Sequence, residues 1–220
     1  MLRSTIAGVS ATENVARSER AALCDLVTEL GPDAPTLCAG WSTRDLAAHL
    51  VVRERRPDAS AGILFRPLAG HTTRVQAAVA RKPFDEIVAL VRTPPRFSFS
   101  GFGPLDLAFN TSEFFIHHED VRRAQPAWQP RPLPAALGRR LWSSTAGPAR
   151  LALRRFPAAV VFDAGSYGRA RLGRGGAEVR VAGDPGELAI FCSGRQRAAR
   201  VELTGPDDLV ARLRNSRLGV

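Results

Sequence analysis

Residues 40–50 read GWSTRDLAAHL, and this stretch decides how the first half of the chain folds. Ser42 followed three residues later by Asp45 is a capping-box-like start. A serine oxygen and a carboxylate at that spacing can satisfy backbone N–H groups that the first helical turn leaves without partners. A helix from Thr43 to Arg55, TRDLAAHLVVRER, is expected to follow, and Pro57 with the loop beyond it ends that element. Leu46 and Leu50 mark its inner face, with His49 beside them in mid-helix.

Working outward, Val15, Leu23, Leu26, Val27 and Leu30 form an apolar stripe at helical spacing over Thr12–Leu30, which Gly31-Pro32 stops. Downstream, two shorter helices are expected over Thr73–Arg81 and Phe84–Arg92. The turn-rich linker TPPRFSFSGFG (93–103) then leads to a long helix from Pro104 to about Ala124. Four main helices joined by loops imply an up-and-down bundle with at least one long crossover, occupying residues 1–130. The proline-rich PAWQPRPLP (126–134) is the boundary candidate. After it the texture changes: a helix over Ala135–Ala146 that resumes near Arg150, then strand-like runs at 158–164, 177–183 and 199–205. GRARLGRGG between the first two reads as a further strand and a hairpin turn. Asp184-Pro185 and Pro206-Asp207-Asp208 open two last helices, with Asp184 as N-cap. Residues 131–220 are therefore expected to form a small α+β domain.

Composition narrows the function classes. The 220 residues are 45% hydrophobic and 24% charged, enough for a real core and unlike a disordered chain. No apolar run approaches the ~18 residues of a membrane span, and the first residues hold no signal-peptide core. Cys24, Cys38 and Cys192 form no CxxC pair, so a reducing cytoplasm is the expected setting. The net charge of +10 suggests a polyanion partner until it is divided. Residues 1–130 hold 15 basic and 14 acidic side chains, whereas residues 131–220 hold 16 and 7. The excess belongs to the C-terminal part. With few aromatics and no DNA-binding motif, nucleic-acid binding is not expected.

Glu113 and His117, at i and i+4 on the long helix, share one face. His49 could face them across a bundle. Two histidines and one carboxylate with an open coordination position are what catalytic divalent metals use. Spacing alone does not assign them, since a Glu-x-x-x-His pair is common as a surface contact. His118 points about 100° from His117 and suits a different role. Asp45 and Asp120 read as a helix-start acid and a surface partner of His117, or, for a ligand histidine, as an orienting hydrogen-bond acceptor. Cys24 and Cys192 read as core residues, Cys38 as a loop thiol, and His71 carries no signal. No Gly-rich phosphate loop is present.

The context of these residues adds more. Gly40-Trp41-Ser42-Thr43-Arg44-Asp45-Leu46 with His49-Leu50 resembles one signature of the mycothiol-dependent maleylpyruvate isomerase family, which has a DinB-like fold. Glu113…His117 followed by Asp120-Val121 resembles the second, and GDPGELAIFCSGR (183–195) with ARVELTG (199–205) resembles that family's small C-terminal domain. The likeness is strongest to an actinobacterial branch of metal-binding proteins of unassigned activity, marked by HHED at 117–120. The resemblance implies that His49, Glu113 and His117 bind a divalent metal, usually zinc. It also implies mycothiol as cofactor and Arg195 as a catalytic arginine able to clamp a carboxylate or anionic thiol. His118-Glu119 departs from the Gly-Trp usual after the second histidine, which bears on isomerase activity but not on the ligands.

The expectation is therefore a DinB-like four-helix bundle followed by a small α+β domain. It binds a divalent metal and acts as a metal- and thiol-dependent isomerase or S-transferase on a small electrophilic or carboxylate substrate. Its partners are a low-molecular-weight thiol and a small molecule, with no membrane and no nucleic acid. The alternative is a non-catalytic metal-binding protein whose basic C-terminal domain holds an anionic ligand or partner.

Overall fold

The computed structural model describes residues 3–93 and 104–219, so all of the expected 93–103 linker except Thr93 lies outside the described residues. The chain divides into two units, Met1–Gln129 and Pro130–Val220. Among the described residues the first unit holds six α-helices: α1 (Arg3–Leu30), α2 (Thr43–Arg55), α3 (Pro57–Leu64), α4 (Ala69–Ala80), α5 (Phe84–Arg92) and α6 (Pro104–Arg123).

Two differences from the sequence expectation have simple causes. Helix α1 begins at Arg3 rather than Thr12, since residues 3–11 contain no proline and a lone glycine does not break a helix. Pro57 does not lead into a loop; it opens α3 as its first residue. A proline there costs no hydrogen bond, because first-turn N–H groups have no intrahelical acceptor. His71 accordingly falls inside α4 and not before it.

Helix α1 packs against α6 and α5, and α2 against α3, α4 and α5. Leu23 and Val27 of α1, Leu46 and Leu50 of α2, Ile87 and Val91 of α5, and Phe114 and Val121 of α6 are all buried in one cluster. Each such side chain contributes roughly 1.5–3 kcal/mol of burial. A buried ion pair runs through the same region. Arg20 on α1 donates to both carboxylate oxygens of Glu54 on α2 (2.5 and 2.7 Å) and to the carbonyl oxygen of Val91 on α5 (2.6 Å). Its guanidinium also lies 4.0 Å from the centre of the Phe114 ring on α6. One side chain thereby ties four helices together, and on α6 its contact, Phe114, is next in sequence to Glu113.

The second unit comprises α7 (Ala135–Ala152), β1 (Ala159–Asp163), β2 (Arg169–Leu172), β3 (Glu178–Ala182), α8 (Pro185–Cys192), β4 (Glu202–Thr204) and α9 (Asp207–Arg214). Helix α7 is continuous through Pro148 and not interrupted after Ala146. The strands form one mixed sheet in the order β2-β1-β3-β4, with β1 and β3 parallel and the edge strands antiparallel to them. The glycine-rich 173–176 segment is thus not a hairpin turn. It carries the chain from β2 to β3 past the start of β1, and a Cβ at Gly173 would meet the Ala158 carbonyl oxygen at 2.8 Å. Asp184 has the extended backbone of an N-cap but makes no side-chain cap bond. Val160, Phe162, Val179 and Val181 pack with Leu188, Phe191 and Leu213 in an apolar core. Among the described residues, no helix is long and apolar enough to cross a membrane.

Candidate metal centre

The site begins at the start of α2. Asp45 Oδ2 accepts from the backbone N–H of Ser42 (3.0 Å) and from its hydroxyl (2.9 Å), while the Asp45 N–H reaches Ser42 Oγ at 3.4 Å. This reciprocal cap fixes the phase of α2, so His49 falls on its inner face between Leu46 and Leu50. Across from it, α6 presents Glu113 and His117 one turn apart. The Glu113 Oε1 atom lies 3.2 Å from His117 Nε2 and 3.6 Å from His49 Nε2. The two imidazole rings meet nearly edge-on, 5.3 Å between centroids, and Trp41 covers His49 at 5.0 Å. One ligand-capable atom from each of His49, Glu113 and His117 lies within 4.8 Å of the others. The three side chains converge on Glu113 Oε1.

The other face of His117 is equally specified. Its Nδ1 lies 3.0 Å from Asp120 Oδ2, and the Cys38 thiol donates to that same oxygen at 3.2 Å. Asp120 is fully buried, so the surface-partner reading fails. The cause is the loop between α1 and α2. The Leu37 N–H donates to the Asp120 carbonyl oxygen (3.0 Å), which stands in the last turn of α6. That bond lays the loop over α6 and closes Asp120 off from water. Cys38, His117 and Asp120 also form a second group with metal-capable atoms in reach of one another.

Burial and neighbours divide the protonation states. Burial pushes the His49 pKa down, and only in part does Glu113 oppose it, so its imidazole favours the neutral form. Burial works against charge on His117 too, but Asp120, Cys38 and Glu113 outweigh it and raise its pKa well above the usual range. Burial likewise opposes charge on Glu113, yet His117, His49 and Arg53 hold its carboxyl well below the usual range.

Two contributors lay outside the sequence expectation. Arg53, one turn beyond His49 on α2, places Nε 3.3 Å from Glu113 Oε1 and donates Nη1 to Asn110 Oδ1 at 2.7 Å. Its i+4 spacing from His49 was the available signal. Cys38 had no such signal, because a loop residue has no periodicity to place it. His118 turns away from the site, as its position 100° round the helix requires. It is buried, with Nδ1 3.1 Å from Glu19 Oε2 on α1. The adjacent Glu119 accepts from Arg122 and Arg123 at 2.8 and 2.7 Å. Arg195 belongs to the second unit, in the turn after α8, and donates Nη1 to the Ser193 carbonyl oxygen at 2.6 Å.

Residues 15–95 match the family model described as the mycothiol maleylpyruvate isomerase N-terminal domain. That span includes His49 and Arg53 and ends before Glu113. Two solved structures share the fold. A histidine-to-alanine mutant of the mycothiol-dependent maleylpyruvate isomerase is 14% identical with a TM-score of 0.60, and the unmutated isomerase is 16% identical with a TM-score of 0.56. Each alignment covers 88% of this chain and 91% of the other. No curated protein matches the sequence. Within its helical unit, over residues 15–95, the chain is therefore similar to the mycothiol maleylpyruvate isomerase N-terminal domain family.

Proposed function

We propose that the helical unit holds a divalent metal, zinc above others, through His49 Nε2, Glu113 Oε1 and His117 Nε2, and that the protein is a metal- and thiol-dependent isomerase or S-transferase. The observation that carries the reading is the convergence of two imidazole nitrogens and a carboxylate oxygen within 4.8 Å. That donor set suits zinc and leaves a coordination position for a ligand. A bound ion would supply Lewis acidity and lower the pKa of a coordinated thiol.

The chain's own residues have separate tasks. Burial keeps His49 neutral, so its lone pair is available. Glu113 stays ionised, held by its cationic neighbours. Asp120 accepts a hydrogen bond from Nδ1 of His117, which turns Nε2 toward Glu113. Trp41 shields His49 from water on its far side. The family match favours mycothiol as the thiol, used in the cytoplasm on a small electrophilic or carboxylate substrate. Arg195 is the proposed anion clamp of the second unit.

Metal analysis of protein purified without a histidine tag tests the site. Near-stoichiometric metal in the wild type and its loss in both His49→Ala and His117→Ala is the expected result; full retention in both variants sinks the assignment. Thiol consumption with a panel of electrophiles then tests the chemistry. A bound metal with no metal-dependent consumption favours the non-catalytic reading, which the 16 basic against 7 acidic side chains of residues 131–220 support.

A further inference from the structure

The Arg53 guanidinium is only partly spoken for. Nε lies 3.3 Å from Glu113 Oε1 and Nη1 donates to Asn110, whereas Nη2 has no hydrogen-bond partner among the described residues. The side chain retains 17% of its exposure, against 9% for each of the two histidines. Part of this side chain therefore reaches solvent beside the atom on which the metal ligands converge. A guanidinium with a free N–H edge next to a carboxylate-bearing metal site is an anion receptor by its chemistry.

We infer that Arg53 is a specificity-determining residue whose Nη2 edge holds the carboxylate of a small substrate beside the metal, so that the site favours carboxylate-bearing small ligands over their neutral counterparts. This rests on the metal reading above. It differs in location from the Arg195 proposal, since Arg53 shares its helix with His49.

The test uses the full chain loaded with cobalt(II), whose visible bands report the metal site without any turnover. Binding of 3-mercaptopropionate is compared with that of uncharged 3-mercapto-1-propanol through the thiolate-to-cobalt band. The wild type is expected to favour the acid by about tenfold or more, the scale of a charge-assisted hydrogen bond. In Arg53→Gln, which keeps an N–H donor toward Glu113, the preference is expected to fall to within about twofold. Arg53→Met gives the same reading without that donor. A wild-type preference within about twofold overturns the role of Arg53, as does a preference that survives in a cobalt-loaded variant. Absence of cobalt bands from the wild type overturns the metal reading and this inference with it. Bands with equal affinities for the two thiols overturn this inference alone.

Discussion

The two units place their charges in opposite ways. In the helical unit Arg20, Glu54, His118, Glu19, Glu119, Arg123 and Asp120 are buried, each against a named partner, around the cluster of His49, Glu113 and His117. In the second unit the core is apolar, the buried carboxylates among the described residues are two, Asp163 and Glu187, and arginines such as Arg169, Arg171 and Arg180 stand on the exposed side of the sheet. Buried charge is expensive and persists only where partners are fixed, whereas exposed charge is nearly neutral in energy. The nearly charge-balanced unit is therefore the one organised around electrostatics. The strongly basic unit is organised around apolar packing.

The sharpest way to break this contrast is Arg20→Met, which strands Glu54 without its partner. It is expected to cost about 3–5 kcal/mol in urea unfolding, the usual penalty for halving a buried pair. A loss within the range of a surface substitution would show that the buried network is not holding α1, α2 and α5 together.

Asp120→Ala should leave the fold in place and weaken metal binding by about 10–100-fold, because His117 loses the acceptor that orients it. Competition with a chelator measures this. Affinity equal to the wild type would mean that Nδ1 of His117 needs no fixed partner.

Titration offers a third handle. His117 is held protonated by Asp120, Cys38 and Glu113, so its pKa in the folded apoprotein is raised above the unfolded value of about 6.5. Its contribution to apoprotein stability is fully present below that unfolded value and is lost as pH rises through the folded one. Metal competes for the same nitrogen, so metal affinity runs the other way. It should climb with pH across that window by about tenfold per unit, with one proton released. Calorimetry in two buffers of different ionisation enthalpy counts the proton, and a count of zero at neutral pH contradicts the protonated state of His117.

The smallest effects lie at the edges of the comparison. Cys38→Ala removes one weak donor to Asp120 and should lower metal affinity by less than about tenfold. In the second unit Arg171, 3.4 Å from Glu178 and half-exposed, should change stability by less than about 0.5 kcal/mol on replacement by alanine. A larger loss there would erase the distinction between the two units.

Much of the fold was legible because local rules dominate it. The Thr43–Arg55 span, with its Ser42–Asp45 box, follows from capping and periodicity alone, and so does Phe84–Arg92. The misreadings fell where one residue type serves two ends. Pro57 can stop a helix or start one, and glycines at 173–176 suit a hairpin or a tight crossing. Which applies depends on the next element and on the strand order, neither of which is local.

The sequence by itself determined the phase of two helices. It put His49 on one inner face and put Glu113 and His117 on one side of another, because helical spacing is a local property of the chain. Only the tertiary structure decided that these faces meet. It also sealed Asp120 beneath the 31–42 loop, set Cys38 beside it and swung Arg53 onto Glu113. Those placements depend on packing between residues 57–82 positions apart, and periodicity carries no information over that distance.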